Sequence, residues 1–592
     1  MSNTLFKYAS IIASVLVAGV MISSCNDDGV IEEYITPCPE IILDSTDGTY
    51  TVLVNNPLTI APKYENAENA TYLWTMDARP IADTPEFTHT WDVVGEYYLS
   101  VTVTTAGGSV SEDLKVEVVE PGIPVVSIPI SSESVTILLG TDYVIHPEVS
   151  NSNLPGFKIQ WSVDGKVAGN EIPFTFHATE LGEYAISVTA SNSEGEYTRS
   201  FTIHVVSELP IHLEFPTPTY FCTSTTRYTF PGRPVFISPI VDGAGANSYV
   251  WSVDGKDTGC TMSTYKFVTD TPGEYTVSVL VNSQYSASLT VVCVDADESD
   301  RYRKATAASS PRSNKVYEWV PAPGQFIGET QTGGMTGNET TMELANQWAE
   351  NRLRQSAYVS LGGWGGYIVV GFDHSIAKRD GQFDFAVQGN AFLNAASGQG
   401  GSNEPGIIYV MQDVNGNGLP DDEWYELRGS ESGKSGTVQD YSITYFRPAG
   451  PRMNVQWTDC FGEQGYIDYL SAFHRQDYYY PAWIDADSYT LRGTRLESRT
   501  SQDPATGMWD NWLFDWGYSD NMGSDNLGGD AIDGAGQRNG FLIENAMYPD
   551  LSGINLQYID FIKVQTGVNA KAGWLGENST EVFGFIDLSI KE

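Results

Sequence analysis

Along most of the chain apolar and polar residues alternate with a period of two, the pattern of strands that bury one face. Between residues 41 and 297 the pattern recurs about every 90 residues. Tyr72-Leu73-Trp74, Ile159-Gln160-Trp161 and Tyr249-Val250-Trp251 each end an alternating run, and Gly95-Glu96-Tyr97, Gly182-Glu183-Tyr184 and Gly273-Glu274-Tyr275 each open a later one. The Trp-to-Tyr separations are 23, 23 and 24 residues. This recurrence predicts three copies of one unit, at 41–120, 121–207 and 208–297. Two copies carry an Asp-Gly turn, within Val163–Lys166 and Val253–Lys256, suited to the positive φ of a tight hairpin; the first reads Met76-Asp77-Ala78-Arg79 instead. Short strands with regular turns predict an antiparallel β-sandwich in which a Trp packs beneath the Tyr that opens a late strand, so these aromatics are assigned to cores.

Past residue 297 the pattern changes. Residues 298–314 hold Arg301, Arg303, Lys304 and Arg312 among Ser, Ala and Pro311, and read as a solvated linker. From 315 to 592 no repeat is visible, and ten of the fourteen tryptophans fall in this block, which is read as one large domain. Residues 366–371, 383–387, 406–410, 441–445 and 558–564 alternate or run β-branched and aromatic, as strands do. Only Thr340 to Gln355 has helical spacing, with Met342, Leu344, Ala345, Trp348, Ala349 and Leu353 on one stripe. The expected fold is all-β: tandem sandwiches followed by a larger jelly-roll-like β-sandwich with one helix.

The Trp, Asp-Gly and Gly-Glu-Tyr elements resemble the PKD (polycystic-kidney-disease) repeat, an immunoglobulin-like sandwich. At the N-terminus Lys7 precedes a 12-residue apolar run, Ile11 to Ile22, shorter than a bilayer span and of the length of a secretory signal's apolar core. Ile22-Ser23-Ser24-Cys25 resembles a bacterial lipobox, which implies removal of residues 1–24 and a lipid anchor on Cys25, followed by a tether over 25–40. Asn26, Asp27 and Asp28 resemble the surface-export signal of Bacteroidota lipoproteins; a flexible solvated tether explains the same acids. The resemblance implies display on the outer face of the outer membrane.

Composition narrows the partners. The 592-residue chain carries 75 acidic against 32 basic residues, a formal charge of -43, which opposes recognition of a phosphate backbone and excludes nucleic acid as a partner. The same surplus supplies oxygen ligands for hard cations such as calcium. Setting Cys25 aside, Cys38, Cys222, Cys260, Cys293 and Cys460 remain, an odd number without CxxC spacing; no zinc site follows, and a disulfide such as Cys222 with Cys293 is one of several pairings.

The sharpest chemical motif runs from Asp413 to Glu423. Asp413, Asn415 and Asn417 place oxygen side chains at positions one, three and five, and Gly418 stands at six, as in the first half of an EF-hand-type calcium loop. Trp424 occupies position twelve, so Asp421, Asp422 or Glu423 would complete a shorter, dockerin-like or thrombospondin-like shell. The expectation is structural calcium; the competing reading is a solvated Asn-Gly turn. A second series, Leu361-Gly-Gly-Trp364-Gly-Gly-Tyr367, Gly371-Phe372-Asp373, Gly389-Asn390-Ala391-Phe392, Glu404-Pro405 and Gly528-Gly529-Asp530-Ala531-Ile532-Asp533, resembles a family of bacterial surface β-sandwich domains. Asp373, Asn390, Glu404, Asp530 and Asp533 are a second candidate cation set, with turn capping as the alternative.

Catalysis finds little support: His374 and His474 are the block's only histidines, and neither HExxH nor a GxSxG elbow occurs. A glycoside hydrolase needs only two carboxylates and is retained as the weakest reading. Aromatics in polar, loop-like contexts suggest flat platforms for a ring-bearing ligand, with Trp364, Trp457, Tyr479, Trp483, Trp509, Trp512 and Trp516 as candidates. The whole arrangement resembles PKD-containing cell-surface lipoproteins of Bacteroidota, some of which accompany outer-membrane receptors for nutrients, cobamides among them. That resemblance implies a surface lipoprotein that binds an extracellular glycan or cobamide-like nutrient through 315–592, with the repeats as a spacer stalk and an outer-membrane receptor as partner. A structural or adhesive protein with a protein partner is the alternative.

Overall fold

The computed structural model describes residues 37–591 apart from 46–47, 77–78, 331–333, 395–397, 399, 472–473, 505 and 529–535. Cys25 and the Ile11–Ile22 run lie outside these residues. The chain divides into two compact units, the first ending at Val118 and the second running from Val119 to Glu592.

The first unit is one sandwich. Strands Thr49–Leu53, Gly108–Val119, Gly95–Thr105, Thr71–Met76 and Arg79–Ala82 form a five-stranded sheet in that order, and Pro57–Ile60 pairs with Phe87–Thr90. Trp74 is fully buried between the layers, stacked on Phe87 at 5.4 Å, and its indole N–H donates to Thr84 O at 2.9 Å.

The second and third repeats reproduce this plan. In repeat 2 the strand Ser134–Leu138 lies parallel to the terminal strand Gly195–Val206, pairing Ser134 with Thr202 through Leu138 with Val206. In repeat 3 Arg227–Thr229 pairs in parallel with Tyr285–Cys293. Trp161 and Trp251 are fully buried and donate to Glu171 O and Met262 O at 3.0 and 2.8 Å. The Asp-Gly hairpins form as expected, with Asp164, Gly165, Asp254 and Gly255 all at φ between 49° and 74°. One detail differs from expectation: the repeated Tyr is not the lid of the Trp. Tyr97, Tyr184 and Tyr275 turn back to donate to the carbonyl four residues upstream, Val93, Glu180 and Thr271, at 2.8–3.0 Å. Each thereby closes the corner before its strand, as a tyrosine corner does.

Residues 315–592 form a larger β-sandwich. Its main sheet runs Lys315–Val320, Tyr367–Ala377, Tyr558–Thr566, Gly406–Met411, Tyr425–Leu427 and Ala546–Met547. A four-stranded sheet holds Gln464–Ile467, Val455–Asp459, Val438–Phe446 and Ser488–Arg495, and a three-stranded one Gln537–Phe541, Phe385–Gly389 and Gly584–Asp587. The helix Met342–Arg354, capped by Thr341, turns Ala345, Ala349 and Leu353 inward and stacks Trp348 on Trp319 at 4.8 Å. A four-residue helix, Glu298–Arg301, is the other α-helix among the described residues. None of the described helices is long and apolar enough to cross a membrane.

Within the second unit the repeats are docked. Arg227 of repeat 3 meets Glu423 at 2.9 Å, Arg233 donates to Gln412 at 2.7 Å, and the N–H groups of Tyr220 and Phe221 donate to Tyr367 Oη and Glu318 Oε1. Repeat 2 reaches the four-stranded sheet through His146 O and Glu148, which accept from Gln456 and Asn454. Segment 298–314 also differs from the solvated hinge expected of it. Arg303 pairs with the buried Asp560 at 3.0 Å, Arg312 donates to Gln388 and Arg301 to Val414 O, so these three arginines are structural partners. Cys38, Cys222, Cys260, Cys293 and Cys460 are all free thiols, so the Cys222–Cys293 bridge is not formed.

Candidate functional site

The loop from Asp413 to Glu423 folds around its first aspartate. Asp413 Oδ1 accepts from the N–H groups of Gly416 and Asn417 and Oδ2 from Gly418, at 2.8–3.0 Å. Positive φ at Gly416 and Gly418 brings those amides round. The Asn415 and Asn417 amides both donate to the Asp421 carboxylate at 2.9 Å. Asp422 is 2% exposed; its Oδ2 accepts from Val414 N while Oδ1 has no hydrogen-bond partner. Burial, then the neighbouring Asp421 and Asp413, push its pKa up to about 8. Asp413, Asn415, Asn417, Asp421 and Asp422 thus share one hydrogen-bonded loop whose side-chain oxygens are of the type a hard cation takes, although the loop's own amides occupy Asp413 and Asp421 here. Glu423 departs from the set proposed from sequence, because it turns away to Arg227.

Of the second sequence set, Asn390 and Glu404 come together and Asp373 does not. Asp373 contacts Nδ1 of the buried His374 at 2.6 Å, and His374 Nε2 meets Asp587 at 2.9 Å. Asp530 and Asp533 lie outside the described residues. Two other carboxylates complete the cluster: ligand atoms of Glu404, Asp520 and Glu581 all lie within 4.8 Å of one another. The Asn390 backbone N–H donates to Asp520 Oδ1, and the Glu581 N–H to Asp520 Oδ2. Ser579 donates its N–H to Glu404 and its hydroxyl to Glu581. Burial pushes Glu404 up to about 8 and Asp520 up to about 7, and burial with repulsion from both raises Glu581 well above the carboxylate range. Sequence reasoning missed Asp520 and Glu581. Glu581 opens a short strand near the C-terminus, and a carboxylate inside a buried strand carries no periodic signal.

The aromatic candidates divide by burial. Trp364, Tyr479 and Trp483 are core residues and not platforms, since all three are at most 4% exposed. Trp364 packs edge-on against Tyr441, Trp483 lies 4.7 Å from Trp319 and donates to its carbonyl, and Tyr479 donates to His474 O. Trp457, Trp509, Trp512 and Trp516 are partly exposed. Trp457 lies over Gly465 on the four-stranded sheet. Trp509 and Trp512 flank the end of a hairpin, Thr500–Gln502 with Trp509–Asn511, and the Trp512 indole donates to Ser501 Oγ at 2.9 Å. This hairpin abuts the carboxylate cluster, because Asn403, next to Glu404, donates to Asn511 O.

A further group was illegible in the sequence. Lys563 Nζ sits over the rings of Tyr409 and Trp424 at 4.3 and 5.1 Å, with Glu318 and Glu426 nearby. Burial lowers Lys563 to about 8 against the opposing pull of both carboxylates, and raises Glu426 to about 7. These residues come from different strands of one sheet face, and Glu318 accepts from Phe221 of repeat 3, so the group belongs to the joint.

Residues 38–105 match the PKD-like domain family. No curated protein matches the chain. Similar solved structures include Dpr2 Ig1–Ig2 in complex with DIP-Theta Ig1–Ig3 (13% identity, 43% of this chain and 99% of that one, TM-score 0.19). Fibronectin(III)-like modules of Clostridium thermocellum CbhA (18%, 28% and 94%, 0.19) and titin I-band fragment I67–I69 (14%, 43% and 98%, 0.17) are others. PKD- and immunoglobulin-like sandwiches are typical of extracellular and surface proteins.

Proposed function

We propose that this chain is a lipid-anchored outer-membrane surface protein, held through Cys25, whose C-terminal domain binds an extracellular glycan or cobamide-like nutrient for an outer-membrane receptor. The supporting observation is the hairpin bearing Trp509 and Trp512, partly exposed rings fixed at the edge of a rigid sandwich. Such rings offer contact area at low entropic cost. The Asp413–Asp422 loop holds structural calcium in this reading, and the PKD-like repeats separate the domain from the membrane. Binding, without catalysis, is the proposed activity. Calorimetric titration of the full chain with cobalamin and a glycan panel, with and without calcium, tests it: saturable binding lost in Trp512→Ala supports the proposal, and silence across the panel from a folded chain overturns it. The docking of repeats 2 and 3 onto the domain favours one competitor, an adhesive surface protein that presents the whole second unit to a protein partner.

A further inference from the structure

We infer that Glu404, Asp520, Glu581 and Gln537 form a second site for a divalent hard cation of the calcium class, separate from the Asp413–Asp422 loop and set into the C-terminal sandwich with only Glu404 half-buried. The three carboxylates are drawn from segments far apart in sequence. Glu404 precedes the strand Gly406–Met411, Asp520 lies in the loop after Trp516, and Glu581 opens the strand Glu581–Val582. Among the described residues no lysine or arginine pairs with any of them. Three carboxylates within 4.8 Å of one another need compensating positive charge or protons, because like charges repel strongly in a low dielectric.

Gln537 supplies the independent observation. It is fully buried, and its amide nitrogen donates to Asn521 O at 3.0 Å and Asn539 Oδ1 at 2.6 Å. Those two bonds fix the amide's orientation, leaving Oε1 as a buried acceptor with no partner. That oxygen is aimed at the cluster. A first side-chain carbon placed on Gly389 would lie 2.7 Å from Gln537 Oε1 and 2.6 Å from Asp520 Oδ1, so both oxygens crowd one spot that only glycine leaves open. The side-chain amide of Asn390 stands 2.9 and 3.2 Å from the two Asp520 oxygens. Turned one way its nitrogen donates to the carboxylate; turned the other, its oxygen joins the donor set. The set contains neither sulfur nor imidazole, which disfavours zinc and copper. Magnesium keeps several waters and demands a strict octahedron, whereas calcium accepts an irregular cage of six to eight oxygens, as a mixture of carboxylates and a carboxamide provides.

The test uses the full chain stripped with chelator. In a background where the loop is disabled by Asp413→Ala and Asp421→Ala, one calcium per chain is expected by calorimetry, with a rise in melting temperature of about 2 °C or more at saturation. Glu581→Gln, nearly isosteric, is expected to abolish that remaining binding. Asn390→Asp adds a fourth carboxylate at a partly exposed position and is expected to tighten it at least fivefold. A loop-disabled chain that binds no calcium, or a folded Glu581→Gln variant that binds it as before, overturns the inference. Should Glu581→Gln fail to fold, Asn390→Asp decides: unchanged affinity overturns it.

Discussion

Replacing Arg227 by methionine removes the one guanidinium that crosses from repeat 3 to Glu423. The pair is 2.9 Å apart, with side-chain exposures of 9% and 21%, so it is mostly withdrawn from water. Arg227 also donates to Pro216 O and so holds its own strand to the joint. Without it Glu423 loses the one opposite charge that offsets the burial raising its pKa, and its carboxyl is left in the joint without its partner. Breaking a buried pair from one side costs ~3–5 kcal/mol, and the partial exposure of Glu423 places this joint at the lower end. About 3 kcal/mol corresponds to roughly a 100-fold shift toward the open joint, at tenfold per 1.4 kcal/mol. Hydrogen exchange reads this directly, because the amides of Tyr220 and Phe221 donate across the joint. Their exchange is expected to accelerate by about two orders of magnitude, while amides of the Trp251 strand keep their rates. The double variant Arg227→Met with Glu423→Leu is expected to recover most of the loss, since apolar replacement of a whole buried pair is close to neutral. Exchange at Tyr220 and Phe221 within threefold of the parent chain would refute the reasoning and assign the docking to the joint's other contacts, Arg233 with Gln412 among them.

Three other outcomes follow from the geometry. Trp161→Ala empties the centre of repeat 2 and orphans Glu171 O; denaturant unfolding should show a loss of ~3–5 kcal/mol confined to the second unit. In chelator, Asp422 holds its proton up to about pH 8 in the folded chain against about 4 unfolded, so its contribution to stability is complete below pH 4 and falls by ~1.4 kcal/mol per pH unit as pH climbs toward 8. Asp422→Asn should make the fall in stability with pH shallower than in the parent chain, the other raised carboxylates keeping the rest, and melting curves at pH 5, 6.5 and 8 check it. Trp483→Ala should lower the melting temperature by several degrees, whereas Trp512→Ala should leave it within a degree, which calorimetric scans would separate.

The strands were legible because their alternation reports burial. Residues 406–410 became Gly406–Met411, 558–564 became Tyr558–Thr566, and the helix expected over 340–355 spans Met342–Arg354. What alternation cannot report is which polar residue a distant segment will cover. Arg303 stands among Ser and Ala and looks solvated, yet its partner Asp560 is 257 positions away in a central strand. Trp364 sits in a glycine-rich turn that reads as a loop, but positive φ at Gly362 and Gly365 folds that turn inward and seals the indole against Tyr441. The Asp413 loop was visible because its oxygens are local. The Glu404, Asp520 and Glu581 cluster was half hidden because only the fold assembles it.

The parallel neighbours in repeats 2 and 3 have a mechanical meaning. Tension along the chain enters repeat 2 at the Ser134 end of one strand and leaves at the Val206 end of the strand beside it, so the two are drawn in opposite directions along a shared ladder five residue pairs long. A ladder pulled this way is sheared, and its bonds must fail together; one pulled from a single end unzips bond by bond. A repeat strung this way resists a pull on its two ends by geometry alone, with no disulfide among the described cysteines to brace it.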